Sequence, residues 1–245
     1  MSCRNPIAIA SIVLLASWPS GQPREQFDVA VDDPRPLARA IDAIEQRFGW
    51  TVTYEDPPYE NASEIEDVTE RVRRDGKSHP RVLVPRGGAF HFSYALNPES
   101  GSDPDELLGA LLSRYEASGN PGFYRVFREG AAFHVVPRMI VDARGVVTEV
   151  HSVLDARISL QPGEKNLAEV VAAIAAATTA AGGKELAVNG PNNLLLQTRV
   201  TVNARTQSAR ALLLQYIGSA RLPISWRLLY DPGMKKYVLN LHIRD

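Results

Sequence analysis

Thiols are almost missing from this sequence. Its one cysteine, Cys3, stands ahead of the first apolar run, so nothing after it can form a disulfide, a cysteine nucleophile or a thiolate metal site. Net charge is almost missing as well, at -1 over 245 residues. That removes any whole-chain electrostatic reason to expect nucleic acid or an anionic membrane as partner. The motifs HExxH, GxSxG and SxxK are absent, and so is a glycine-rich phosphate loop. Gly87-Gly88 is followed by neither a helix N-terminus nor a lysine–serine pair, so it reads as the turn of a hairpin within RVLVPRGGAFHF. Beyond the first twenty-odd residues there is no long hydrophobic run.

That first run has the form of an export signal. Arg4 supplies a basic start, Ile7 to Trp18 the apolar stretch, and PSGQP a polar breaker. Spanning a bilayer takes roughly 20 apolar residues, so the stretch is too short to be a membrane helix. A lipid anchor is excluded because the cysteine precedes the run. Residues 1–22 are therefore expected to be a signal peptide, and the mature chain a soluble periplasmic protein with no stable membrane insertion.

The rest of the chain keeps writing helix, glycine, strand. In PLARAIDAIEQRFGWTVTYED, Leu37, Ile41, Ile44 and Phe48 fall on one helical stripe, with Arg39, Asp42, Glu45 and Arg47 turned away. Pro36 suits the first turn and Gly49 the left-handed stop. TVTYE then alternates, and FDVAV before the helix puts Phe27, Val29 and Val31 on one side. Further helices are expected over 102–119, 166–183 and 206–220, with hairpins at Arg128-Glu129-Gly130 and Asp231-Pro232-Gly233. Within the second and fourth units ALLSRY lies beside ALLLQY, and YRVF beside WRLL.

The order of elements therefore repeats. The expected fold is α+β, two tandem βαβ-βαββ domains with helices packed on one face of short mixed sheets. The first covers 26–138 and carries an insert at 57–80, the second covers 156–244, and 139–155 forms a joining ribbon. In the insert, Ser63 and Glu66 suit a capping box, and Arg71, Arg73, Arg74 and Lys77 read as a solvated face. The last hairpin strand of each copy, AAFHVV and KYVLNLHI, is the expected open edge.

These residues resemble the short N-terminal domain of secretins and TonB-dependent receptors. FDVAV, Pro36-Leu37, Ala40-Ile41, Phe48-Gly49 and TVTY follow the first half of its pattern, and the run from DELLGALL to FHVV the second half. The second copy departs from it with Asn166-Leu167 in place of proline–leucine, and the first through its insert. No plug, barrel or pore-forming region follows the pattern before Asp245. The resemblance implies a periplasmic docking or signalling module that contacts other envelope proteins and is not an enzyme.

Five histidines are the remaining candidates for chemistry. His91, His134 and His242 sit between apolar residues on strands, and alternation makes His91 and His134 candidate cross-strand neighbours on an open sheet face. Structural zinc wants four ligands, so no metal site is assigned. His79 and His151 fall in connecting segments. Trp50, Tyr124, His91 and His134 are the candidate partner-binding residues, and no catalytic or cofactor residue is assigned. The expected function is non-catalytic binding of an envelope or periplasmic protein. The alternatives are a hydrolase with an ionisable cleft between the copies, or a small-ligand binder with Trp50 and Tyr124 in one concavity.

Overall fold

A computed structural model describes residues 25–72, 81–97, 102–182, 184–203, 205–219 and 223–244. The expected signal peptide lies outside them, as do Arg73, Arg74, Lys77 and His79. Helices and strands are both well represented in mixed sheets, and the fold is α+β.

Ten strands and four helices carry the architecture. In the first half they are Gln26–Asp32 (β1), Pro36–Phe48 (α1), Thr51–Glu55 (β2), Ala89–Ala95 (β3), Pro104–Glu116 (α2), Phe123–Glu129 (β4) and Ala132–Val141 (β5). In the second they are Gly163–Asn166 (β6), Leu167–Gly182 (α3), Leu186–Asn189 (β7), Arg199–Val202 (β8), Ala209–Ser219 (α4), Ile224–Asp231 (β9) and Lys236–Ile243 (β10). Local chemistry sets the helix ends. Pro36 opens α1, and Gly49 at φ 70° closes it by donating its N–H to Glu45. The Asp103 side chain caps α2 on the Asp105 N–H. Leu37, Ile41 and Ile44 are buried along the predicted stripe, as are Phe27, Val29, Val52 and Tyr54 on the predicted strand faces.

The strands assemble into one larger sheet and two ribbons. β1 pairs antiparallel with β3, and β6 with β8. The remaining six run in the order β7-β10-β9-β2-β5-β4, and Val147–Glu149 pairs with β5 beyond β2. The strands of the two halves therefore form one continuous sheet, joined where β9 lies parallel to β2 with Arg227 level with Tyr54 and Leu228 with Glu55. On β2, Val52 and Tyr54 enter the first core with α1 and α2. On β9, Trp226 and Leu228 enter the second core with α3 and α4. Because Leu228 is level with Glu55, not with Tyr54, the two helix layers cover opposite faces of the sheet. The apolar face of each ribbon closes the far side of its own core.

Two expectations about edges are corrected here. AAFHVV lies in β5, between β2 and β4, and KYVLNLHI is β10, between β7 and β9. Both last hairpin strands are central, because in each half the strand after the first helix comes back to pair parallel with them. The hairpin expected at Gly87-Gly88 does not form either. Leu83–Pro85 pairs with Ile65–Asp67, and β3 pairs with β1. Gly87 sits where a Cβ would lie 2.4 Å from the Pro34 carbonyl oxygen, so its lack of a side chain serves a close chain crossing. In the insert, Asn61 caps the turn at Ser63, the place given to Ser63 and Glu66 from the sequence.

The two halves share one pairing scheme down to register. Each hairpin closes on its last pair, Glu129 with Ala132 and Asp231 with Lys236. Four residues in from those pairs, Arg125 faces Val136 and Arg227 faces Asn240. Val52 lies beside Phe133 as Leu186 lies beside Tyr237. On the helices, buried Leu37, Ala40, Ile41 and Ile44 of α1 correspond to buried Leu167, Val170, Val171 and Ile174 of α3. β9 thus occupies in its half the place that β4 holds in the other, yet runs parallel to β2, so the second half is turned over about the direction that crosses the strands.

Truncating the stripe tests the first core. Ile44→Ala should lower unfolding free energy by about 2–5 kcal/mol in urea titrations, the cost of a buried large-to-small change. A loss similar to that of an exposed α1 substitution such as Arg47→Ala would contradict the packing.

Candidate functional site

The ionisable groups gather at the joint between the halves, on both faces of β2. On one face Arg227 of β9 reaches across to α1. Its Nη2 donates to Asp42 Oδ1 at 2.7 Å and to Glu45 Oε2 at 2.6 Å, and its Nη1 donates to the Val52 carbonyl at 2.8 Å. Glu45 also accepts the Val52 N–H at 2.8 Å and lies 3.2 Å from His242 Nε2. Burial alone would raise the Glu45 carboxyl, but the His242 contact, the Arg227 charge and the Val52 N–H outweigh it and hold it below the usual carboxylate range. Asp42 and Glu45, read from the helical stripe as turned away from the core, in fact face the second half.

On the other face Arg210 of α4 donates from Nε and Nη2 to the two oxygens of the fully buried Glu55, each at 2.8 Å, and from Nη1 to Asp155. The Ser152 hydroxyl donates to Glu55 as well. A fork on a carboxylate is the strongest geometry an arginine offers. At the end of β2, Asp56 accepts hydrogen bonds from the Tyr54 hydroxyl at 2.7 Å, the Tyr230 N–H at 2.9 Å and Arg35 Nε at 2.6 Å, with Tyr59 at 3.3 Å. Burial first, and then the Asp56 charge, push the phenols of Tyr54, Tyr59 and Tyr124 up. They stay neutral and serve as hydrogen-bonding groups.

Asp42, Glu45 and His242 are the one group among the described residues with ligand atoms close enough to share a metal ion. They line a cavity of about 420 Å³ together with Arg39, Arg227 and Arg244. The Arg227 guanidinium already sits between the two carboxylates, so a cation would have to displace a buried charge that is matched on three sides. The cluster therefore reads as a structural clamp between the halves. The hydrolase alternative expected ionisable groups between the halves, and here Asp42, Glu45 and Arg227 are engaged with one another.

The candidate partner-binding residues are scattered. His134 is fully buried on β5, its Nδ1 2.7 Å from Thr53 Oγ1 and its ring stacked 5.6 Å from Trp226, so a docking partner cannot reach it. His91 is exposed on β3 opposite Ala30, in the ribbon and not the large sheet, so the two histidines are not cross-strand neighbours. Tyr124 is buried, with its hydroxyl 2.7 Å from that of Tyr54. Trp50 is half-buried, stacked 4.6 Å from Phe48 and 6.5 Å from Phe133. Phe133 and Pro137, the β5 neighbour of Tyr124, are four residues apart, or about 13 Å along a strand. Trp50 and Tyr124 thus pack against β5 at points about 13 Å apart along the strand. The clamp residues Asp42, Glu45, Arg227, Arg210 and Glu55 were missed by sequence reasoning. Their one visible signal was a charged residue inside an apolar strand, Arg227 in WRLLY.

What remains open are the two outer strands of the sheet. β4 and β7 each have one strand neighbour among the described residues. β4 carries exposed Arg125, Arg128 and Glu129.

Breaking the clamp should be costly. Arg227→Met leaves Glu45 buried without its cation and should remove about 3–5 kcal/mol of stability, while Arg227→Met with Glu45→Leu recovers most of it. Equal melting of the two variants in urea would rule this out. Burial, with the Arg210 charge second, lowers the His134 pKa from 6.5 to about 3. The unfolded chain therefore takes up this proton first, and stability should fall as pH drops from 6.5 toward 3, by up to about 1.4 kcal/mol per pH unit. Glu45, lowered in the fold, adds its own loss below the ordinary carboxylate range. In His134→Gln the limb between pH 6.5 and the carboxylate range should flatten; an unchanged profile would refute the assignment.

Comparison with protein-family models, with curated proteins and with solved structures gives no match to this chain, so its functional reading rests on the geometry described above.

Proposed function

We propose that the chain is a non-catalytic binding module of the bacterial cell envelope, which docks an envelope protein through the open edge of β4. One observation carries the reading. Inside the molecule, β9 docks parallel against β2, and β4 is the same strand of the other half with nothing beside it among the described residues. A strand edge with unpaired N–H and C=O groups is a template for another strand, and exposed charges such as those of β4 restrict which one.

Three further features support it. The ionisable groups at the joint are engaged with one another, which leaves the shared sheet as a scaffold. The identical pairing scheme of the two halves favours tandem copies of one module, of the docking type that secretins and TonB-dependent receptors carry at their N-termini. The leader-like first run points to export, and no helix among the described residues is long and apolar enough to cross a membrane.

The test is site-specific photo-crosslinking in intact cells. A photoreactive residue at Arg128, on the β4 edge, should give a discrete adduct with an envelope protein. The same residue at exposed Val147, on the strand beyond β2, should not. No adduct from Arg128, or the same pattern from both positions, would defeat the proposal.

A further inference from the structure

The joint inside the molecule specifies what the open β4 edge accepts. Arg227 and Arg125 hold the same place in their hairpins, four residues in from the closing pair. Each lies on the face of its strand opposite the core residue before it, Trp226 and Tyr124. Arg227 is buried because α1, the helix that leads into β2, lays Asp42 and Glu45 over it. Arg125 is exposed. Its guanidinium carbon lies 5.9 Å from the centroid of the Phe127 ring, and among the described residues no carboxylate pairs with it.

A second copy of this chain does not complete that site. Its free edge is β7, the counterpart of β2, and the helix leading into β7 is α3. In the correspondence that aligns the buried residues of α1 and α3, Asp42 and Glu45 become Ala172 and Ala175. Pairing β4 of one copy with β7 of another would bury Arg125 against alanine, and a buried charge without a partner opposes association. A turned-over, head-to-tail joint of this kind does not close on itself, so without such a block it would propagate into a filament.

We propose that the β4 edge is an interaction surface for a protein unit built like residues 36–55 of this chain: a helix bearing two carboxylates one turn apart, followed by a strand. The strand pairs parallel with β4 and brings the carboxylates over Arg125, as β2 and α1 do for β9. This rests on β4 being the docking edge. The alanines that stand for acids on α3 keep the chain from occupying its own edge.

The rule can be tested on the full chain with its own second edge as probe. Ala172 is exposed, so Ala172→Asp installs a carboxylate at the Asp42 position with little risk to the fold. Sedimentation velocity across a range of concentrations should show the natural chain as a monomer. The Ala172→Asp chain should associate end to end roughly tenfold more tightly or better, the gain of a matched charge pair. Adding Arg125→Glu should return it to monomer, and Arg125→Glu with Ala172→Arg should restore association with the charges exchanged. If the natural chain assembles through these edges and Arg125→Glu leaves that unchanged, edge docking stands and the carboxylate rule is overturned. If Ala172→Asp stays folded by circular dichroism and monomeric, docking at β4 is itself overturned.

Discussion

Two buried arginines hold this molecule together. Arg227 and Arg210 both come from the second half, and their carboxylates, Asp42 with Glu45 and Glu55, come from the first. They close on opposite faces of β2, a strand of only five residues. Taking such charges out of water is expensive, and the cost is recovered only where geometry and hydrogen bonding are both good. Here each arginine is forked over its acids. The arrangement fixes which strand lies beside β2, in which direction and in which register.

From that constraint follows the shape of the sheet. A strand that belongs at the outside of its own half is bonded parallel to the strand that begins the sheet of the other half, so the helix layers fall on opposite faces. The join uses one edge of each half and leaves one edge of each exposed. Those two edges differ chemically although the halves share a pairing scheme. Among the described residues β4 presents Arg125 with no paired acid, and the helix before β7 presents alanine where an acid stands in the first half. The shared pairing scheme sets the geometry of both halves, and the charged positions at which they differ set the two edges apart.

The helices and the glycine stop at Gly49 were legible because they depend on residues three or four apart. So were the faces of the strands, which alternation alone sets. The edges were not. AAFHVV and KYVLNLHI look like last strands and lie in the middle, because their second neighbours arrive from residues far away in sequence. Gly87-Gly88 looks like a hairpin, yet β1 claims the strand that follows it. His91 and His134 have the same apolar neighbours in sequence and ended in different sheets, one exposed and one buried. Glu45 sits at the border of an apolar stripe, where spacing cannot separate a solvated acid from one awaiting an arginine 182 positions later.

The sequence by itself determined the four helices, the faces of the main strands and the repeated order of elements, since each of these is settled by short-range periodicity and a few glycines. Only the tertiary structure decided that the halves share one sheet, that β2 is clamped on both faces and that β4 and β7 are left open. Those outcomes depend on which strands meet at long range, and burial of matched charges at the meeting line selects one pairing from several that the apolar pattern alone allows.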